Sequence, residues 1–177
     1  AFWAAVNEER TRAHLFADIK QPSKDQAYGC LWRGLQDSSI KFDENQRRML
    51  TSYRQPFYTL ALYLSNVKNK PEEMSAVLDR MEQVVPRRLH PMDFRLKSDM
   101  AVFYGLSGNK VRQKELYREL ADELGPTTDT GSTEQFSQYH PLAVMLQVYQ
   151  GLDEYDKALD VVQKIQRAFA STPGIPE

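Results

Sequence analysis

Apolar residues spaced three and four apart, interrupted at short intervals by Gly, Asn or Pro, constrain this chain more than any other feature. Such residues land on one face of a helix with 3.6 residues per turn, whereas a strand needs strict alternation. Leu50, Tyr53, Phe57, Leu60 and Leu64 form one stripe, opened by Asp43 and Gln46 at the spacing of a capping box. Pro56 falls inside it and cannot donate to the carbonyl of Ser52, so the helix either kinks there or restarts with Pro56 in a first turn, and the restart is the preferred reading. Asn69-Lys70-Pro71 ends that segment, and Met74, Leu78, Met81 and Val85 form a second stripe up to Pro86. Two helices joined by a short turn make a hairpin.

The arrangement occurs twice more. Leu96, Met100, Phe103 and Tyr104 lead to Ser107-Gly108-Asn109, and Tyr117, Leu120, Ala121 and Leu124 carry the return helix to Gly125-Pro126. Leu142, Met145, Leu146 and Tyr149 lead through Gly151-Leu152-Asp153 to Tyr155, Ala158, Val162, Ile165 and Phe169. Strand signals do not compete, so the fold class expected is all-α. Residues 1–42 read as an N-terminal capping segment: Phe2, Val6, Ala13 and Phe16 suggest an amphipathic helix, 21–26 a loop, and Tyr28, Leu31, Trp32 and Leu35 a short helix over the first hairpin. Residues 43–177 hold about three hairpins, and the whole of 1–177 reads as a single helical-repeat domain. The stretch 125–140, rich in Gly, Thr, Ser and Pro, is long for a connection, a length at which loops carry function or mobility.

Composition narrows the function classes. The chain has 177 residues, 41% of them hydrophobic, ample for a core. A net charge of -1 gives no field for a polyanion, which argues against nucleic acid as a partner. The apolar runs, such as 60–64 and 101–106, fall far short of the roughly 20 residues a transmembrane helix needs. Cys30 is the single cysteine, which excludes an internal disulfide and a multi-thiolate metal site. The chain starts at Ala1-Phe2-Trp3 without Met or a leader pattern, and reads as a piece of a longer protein.

His14, His90 and His140 are isolated, so no metal or cofactor is expected, and His90-Pro91 and His140-Pro141 read as turn residues before helices. Gly105-Leu106-Ser107-Gly108-Asn109 fails as a nucleophile elbow, having Asn109 where glycine is required and a helix where a strand should precede. Glu72-Glu73 and Asp153-Glu154 are adjacent pairs at helix starts, suited to the helix dipole rather than to facing one another across a cleft. Arg47-Arg48 and Arg87-Arg88 read as solvated surface, and Tyr58, off the main stripe, as a residue available for contacts.

Two resemblances add to this reading. Val148-Tyr149 followed by Leu152-Asp153-Glu154-Tyr155-Asp156-Lys157-Ala158-Leu159 resembles a tetratricopeptide repeat, with an aromatic before the turn and Tyr-x-x-Ala opening the second helix. The second hairpin shares Ala101-x-x-Tyr104 and Gly108-Asn109 but has Gln113 where that family prefers a small residue; the first has Ala61, Leu64 and Met74 at the corresponding points. Leu64, Tyr104 and Tyr149 stand 40 and 45 residues apart, longer than the family's period of about 34. The resemblance implies a tetratricopeptide-like array of antiparallel helical hairpins. Its register places Tyr58, Arg95, His140 and Gln147 on the groove side as binding residues.

The second resemblance covers residues 31–108. Leu31-Trp32-Arg33-Gly34-Leu35, Phe42-Asp43-Glu44-Asn45-Gln46-Arg47-Arg48-Met49-Leu50, Ser52-Tyr53-Arg54 and Val77-Leu78-Asp79-Arg80-Met81-Glu82 with Pro86 resemble the soluble C-terminal tail of a bacterial family of multi-spanning membrane proteins similar to protein O-mannosyltransferases. It implies that catalysis belongs to a membrane half outside this sequence, and that this part is a non-catalytic interaction or scaffold module on the extracytoplasmic (periplasmic) side. Its partner would be a protein or peptide ligand, or the membrane half of its own parent chain. Two alternatives stay open at this point: a sugar-active enzyme domain in its own right, and a purely structural cap.

Overall fold

The computed structural model describes residues 6–18, 30–126 and 137–170. Among them all regular structure is helical: α1 (Glu8–Phe16), α2 (Glu44–Asn66), a 3-10 turn (Pro71–Glu73), α3 (Met74–Val84), α4 (Phe94–Leu106), α5 (Lys110–Leu124), α6 (Pro141–Gly151) and α7 (Tyr155–Ala170). The all-α expectation holds. The chain divides into two compact units, one built from Ala1–Met92 with Leu106–Gly108, the other from Asp93–Gly105 with Asn109–Glu177.

In the first unit, α2 begins at a complete capping box: the Asp43 carboxylate accepts the Gln46 N–H at 2.8 Å and the Gln46 amide oxygen accepts the Asp43 N–H at 3.0 Å. The helix then runs unbroken through Pro56, where the sequence suggested a restart. Ser52 and Pro56 are both exposed, so water can reach the carbonyl that Pro56 leaves without a donor and the lost bond costs little. Phe57, Leu60, Ala61 and Leu64 of α2 are buried with Met74, Val77, Leu78, Met81 and Val85, much as the two stripes required. Tyr53 departs from its stripe at 42% exposed, and its neighbour Arg54 is buried instead, at 1%.

The capping segment differs from its expected form. In α1 the buried residue is Leu15, while Ala13 and Phe16 are exposed. Residues 33–36 form a turn in place of the expected short helix, with Gly34 at φ 84. A left-handed glycine there ends any helical run, since a side chain in that conformation is strained. The segment nevertheless docks: the Trp32 ring meets Tyr53 edge-on at 6.3 Å and lies 5.6 Å from Phe57. Phe2, Tyr28 and the 21–26 stretch lie outside the described residues, as does most of the 125–140 loop.

Arg80 holds α1 to α3. Its guanidinium donates to the carbonyls of Leu15 (3.1 Å), Ala17 (3.2 Å) and Phe16 (3.5 Å), to Asp18 Oδ1 (2.7 Å) and to Gln83 Oε1 (2.8 Å). These carbonyls lie at the C-terminal end of α1, which leaves its last acceptors unmatched and attracts a cation. Arg80→Met keeps much of the apolar stem and removes the donors. It is expected to cost about 2 kcal/mol and to speed amide exchange across residues 8–16 more than across α2. Unchanged exchange in α1 would refute the role.

In the second unit, α5 packs on α6 and α6 on α7. Asn109 caps α5 by accepting the Arg112 N–H at 3.2 Å, and Gly108 at φ 82 makes the turn before it. The α4 and α5 backbones stay further apart, joined by long side chains: Lys97 of α4 reaches Glu123 at 2.5 Å and Glu119 at 3.9 Å on α5. Met100, Ala101, Phe103, Tyr104, Leu116, Tyr117, Leu120, Leu142, Val144, Met145 and Val148 are buried. In α7 the buried residues are Ala158 and Val161, while Tyr155 and Leu159 are exposed.

Candidate interaction surface

Three helices of the second unit meet around the Tyr117 ring. Gly151 of α6 stands close against the ring, and Gln113 of α5, four residues before Tyr117, packs against Gly105 of α4. The Tyr117 hydroxyl oxygen accepts from Gln147 Nε2 at 3.2 Å and Gln113 Nε2 at 3.4 Å. Gln147 and Gln113 are half-buried, and Lys110 Nζ donates to the Gln113 oxygen at 3.0 Å. An amide side chain carries one carbonyl acceptor beside two N–H donors, the same groups that a main-chain peptide offers. The node is therefore polar and uncharged at its centre, and Gln113, the departure from the repeat pattern, is part of it.

Of the four residues selected by register, only Gln147 enters this node. Arg95 is exposed in the first turn of α4, its guanidinium 4.9 Å from the Phe94 ring centre and 3.7 Å from Asp93 Oδ2. His140 is 5% exposed and is the N-cap of α6, its Nδ1 accepting the Leu142 N–H at 3.2 Å. Its ring caps the start of that helix. Tyr58 is half-buried and belongs to the first unit.

Acid/base chemistry requires a carboxyl whose pKa is pushed up beside one that stays ionised. Three carboxylates, Asp37, Glu73 and Asp153, are moved down from their ordinary range. Hydrogen bonding from Lys70 lowers Glu73, with Arg12 adding to it, and Lys114 lowers Asp153 by a bond of 2.8 Å. Asp37 is lowered by the Ser39 hydroxyl. A cleft of about 630 Å³ beside α2 is lined by Thr11, Thr51, Ser52, Gln55, Pro56 and Thr59, together with Val6 and Leu60, none of them ionisable. Among the described residues no group of three His, Cys, Asp or Glu is placed to hold a metal ion, and no helix is long and apolar enough to cross a membrane.

Sequence reasoning missed the Arg54 site. The guanidinium donates to the carbonyls of His90, Val85 (3.3 Å) and Pro91 (3.4 Å), at the end of α3 and in the turn after it. Burial lowers its pKa, and the Glu82 carboxylate works against that shift. Arginine stays charged even so. His90 Nε2 is 2.7 Å from the Leu35 carbonyl, which can only accept, so that nitrogen carries the proton, and Phe42 meets the imidazole edge-on at 5.0 Å. The signal was present in outline: Arg54 stands four after Leu50 and three before Phe57, on the helix's inner face.

Comparison of the chain with family models, with curated proteins and with solved structures finds no match.

Proposed function

We propose that this chain is a non-catalytic interaction module, a tetratricopeptide-like array of helical hairpins in which the half-buried glutamine amides held by Tyr117 bind the main chain of an extended peptide. The observation carrying this reading is the node itself: Gln147 and Gln113 anchored on one hydroxyl, half-buried, at the meeting of α4, α5 and α6. Peptide recognition in a helical-repeat protein needs rigidly held amides beside accessible side chains, and Arg95 adds a positive charge on the same unit. Glu73 and Asp153, carboxylates of the adjacent acidic pairs, are held ionised by Lys70 and Lys114, so neither is prepared to give a proton near neutral pH. As the tail of a membrane-embedded glycosyltransferase-like parent, the module would lie on the extracytoplasmic side and hold a partner near it.

The test is a titration of the 177-residue chain with a library of extended peptides, alongside glycosides and lipid-linked sugars as potential substrates. Peptides are expected to bind with amide shifts at 113, 117 and 147, and Gln147→Ala is expected to weaken binding about tenfold. Turnover of any sugar substrate, abolished by one carboxylate substitution, would overturn the reading. A reporter fused after Glu177 in the full-length parent tests the placement, which a cytoplasmic signal would refute.

A further inference from the structure

The cleft of about 630 Å³ beside α2 lies within the first unit and plays no part in the node around Tyr117. It follows one face of α2: Thr51, Ser52, Gln55 and Thr59 stand at helical spacing, with Pro56 and the buried Leu60 beside them. Val6 and Thr11 line it from the α1 side. Thr11 and Thr59 are half-buried, yet among the described residues neither they nor Thr51, Ser52 and Gln55 spend their side chains on a hydrogen bond. Pro56 adds a main-chain acceptor. The Ser52 carbonyl points along the helix axis towards Pro56, which has no N–H to give it, and both residues line the cleft.

These groups define a ligand. No ionisable side chain lines the cleft, so a charged group entering it would leave water without meeting a counter-charge. Each hydroxyl both donates and accepts, the Gln55 amide does so through separate atoms, and the freed carbonyl accepts only. A molecule carrying several hydroxyls of its own answers all of them, whereas a peptide main chain brings one fixed donor and one fixed acceptor per residue. Val6, Pro56 and Leu60 supply apolar surface for the C–H face of a sugar ring, and the volume is in the range of small-molecule sites.

We infer that the cleft between α1 and α2 is a binding site for a neutral saccharide, held by the hydroxyls of one α2 face, the Gln55 amide and the Ser52 carbonyl that Pro56 leaves free. The site is separate from the peptide reading of the second unit, and either stands without the other.

Titration of the 177-residue chain with maltose and with cellobiose, followed by amide shifts, tests it. At least one of the two is expected to give saturable shifts at Thr11, Thr51, Ser52, Gln55 and Thr59, with a Kd of about 1 mM, and none at 113, 117 and 147, where the peptide reading is tested. Maltose 1-phosphate, the protonated glucosamine dimer and a blocked dialanine, probes of a charged or an amide ligand, are expected to bind at least about tenfold more weakly. Gln55→Ala is expected to weaken disaccharide binding about fivefold. Pro56→Ala separates the site from stability: it returns an N–H to the Ser52 carbonyl, so the melting temperature should rise while binding still weakens about fivefold. Absence of saturable shifts with both disaccharides up to about 20 mM, or a charged or amide probe that binds as well, overturns the proposal. Wild-type binding by Pro56→Ala overturns the part given to the Ser52 carbonyl.

Discussion

Arg54→Met is expected to destabilise the first unit by about 3–5 kcal/mol, the range for breaking a buried charged network. The methionine fills part of the space but donates nothing. Val85 and His90 are buried, so their carbonyls then face no donor, at about 1–3 kcal/mol for each orphaned group. Relief of the arginine's own desolvation returns some of this, and the sum stays large because Glu82 also loses the positive charge acting on it. With domain stabilities of about 5–15 kcal/mol, the variant would sit close to unfolding. Urea denaturation followed at the tryptophans should show a midpoint shift at unchanged slope. Arg54→Lys keeps the charge but reaches fewer carbonyls, and should fall between the two. A loss below about 1 kcal/mol for Arg54→Met would mean that water replaces the guanidinium and that the cluster does not hold the turn after α3.

The second large effect belongs to Gly151. A Cβ built there would collide with the Tyr117 ring, standing 2.6 Å from Cδ2 and 3.2 Å from Cζ. The ring is 3% exposed and its hydroxyl is held by two glutamine amides, so it cannot swing aside without breaking them. Gly151→Ala gains about 1 kcal/mol of helix propensity and loses more to overpacking, typically about 1–3 kcal/mol, together with both hydrogen bonds. The net expectation is a loss of about 2 kcal/mol, with faster amide exchange in α6 and α7. Gly105→Ala is the comparison: its Cβ meets the end of the Gln113 side chain, which can move only by giving up its bonds to the Tyr117 hydroxyl and Lys110 but displaces no ring, so the cost should be smaller. Adding Tyr117→Leu to Gly151→Ala should recover part of the loss, because the smaller side chain makes room. If Gly151→Ala alone proves neutral, α5 and α6 can separate at little cost and the node is not rigid.

The two sites also show how far sequence pattern reached. The hairpin between α6 and α7 was legible because its turn residues, from Gly151 to Asp153, and its apolar steps agree; Asp153 indeed takes the left-handed conformation, φ 65, that stops α6 from continuing. The role of Gly151 against an aromatic ring 34 positions earlier was not legible, since nothing local distinguishes a packing glycine from a turn glycine. Gln147 was reached through repeat register. Its partners Tyr117 and Gln113 were noted for other reasons, one as a core residue and one as a departure from the repeat.

Local sequence determined where helices start and stop: the Asp43–Gln46 box, Asn109 before α5 and His140-Pro141 before α6 all act within a few residues of themselves. It also determined that this is a helical protein, because three-and-four spacing cannot bury a strand face. Tertiary structure alone decided which edge of each stripe turns inward. Tyr53 and Arg54 both satisfy the helical period on α2, about 100° apart around the axis. The choice fell to Arg54 because the carbonyls of Val85, His90 and Pro91, 31 to 37 residues away, come within reach only once α3 has packed. The same reason holds for α7, where Tyr155 and Ala158 share a sequence pattern and α6 covers only one of them. A period in sequence specifies a face, and the partner that covers it is supplied by residues too distant for any local pattern to name.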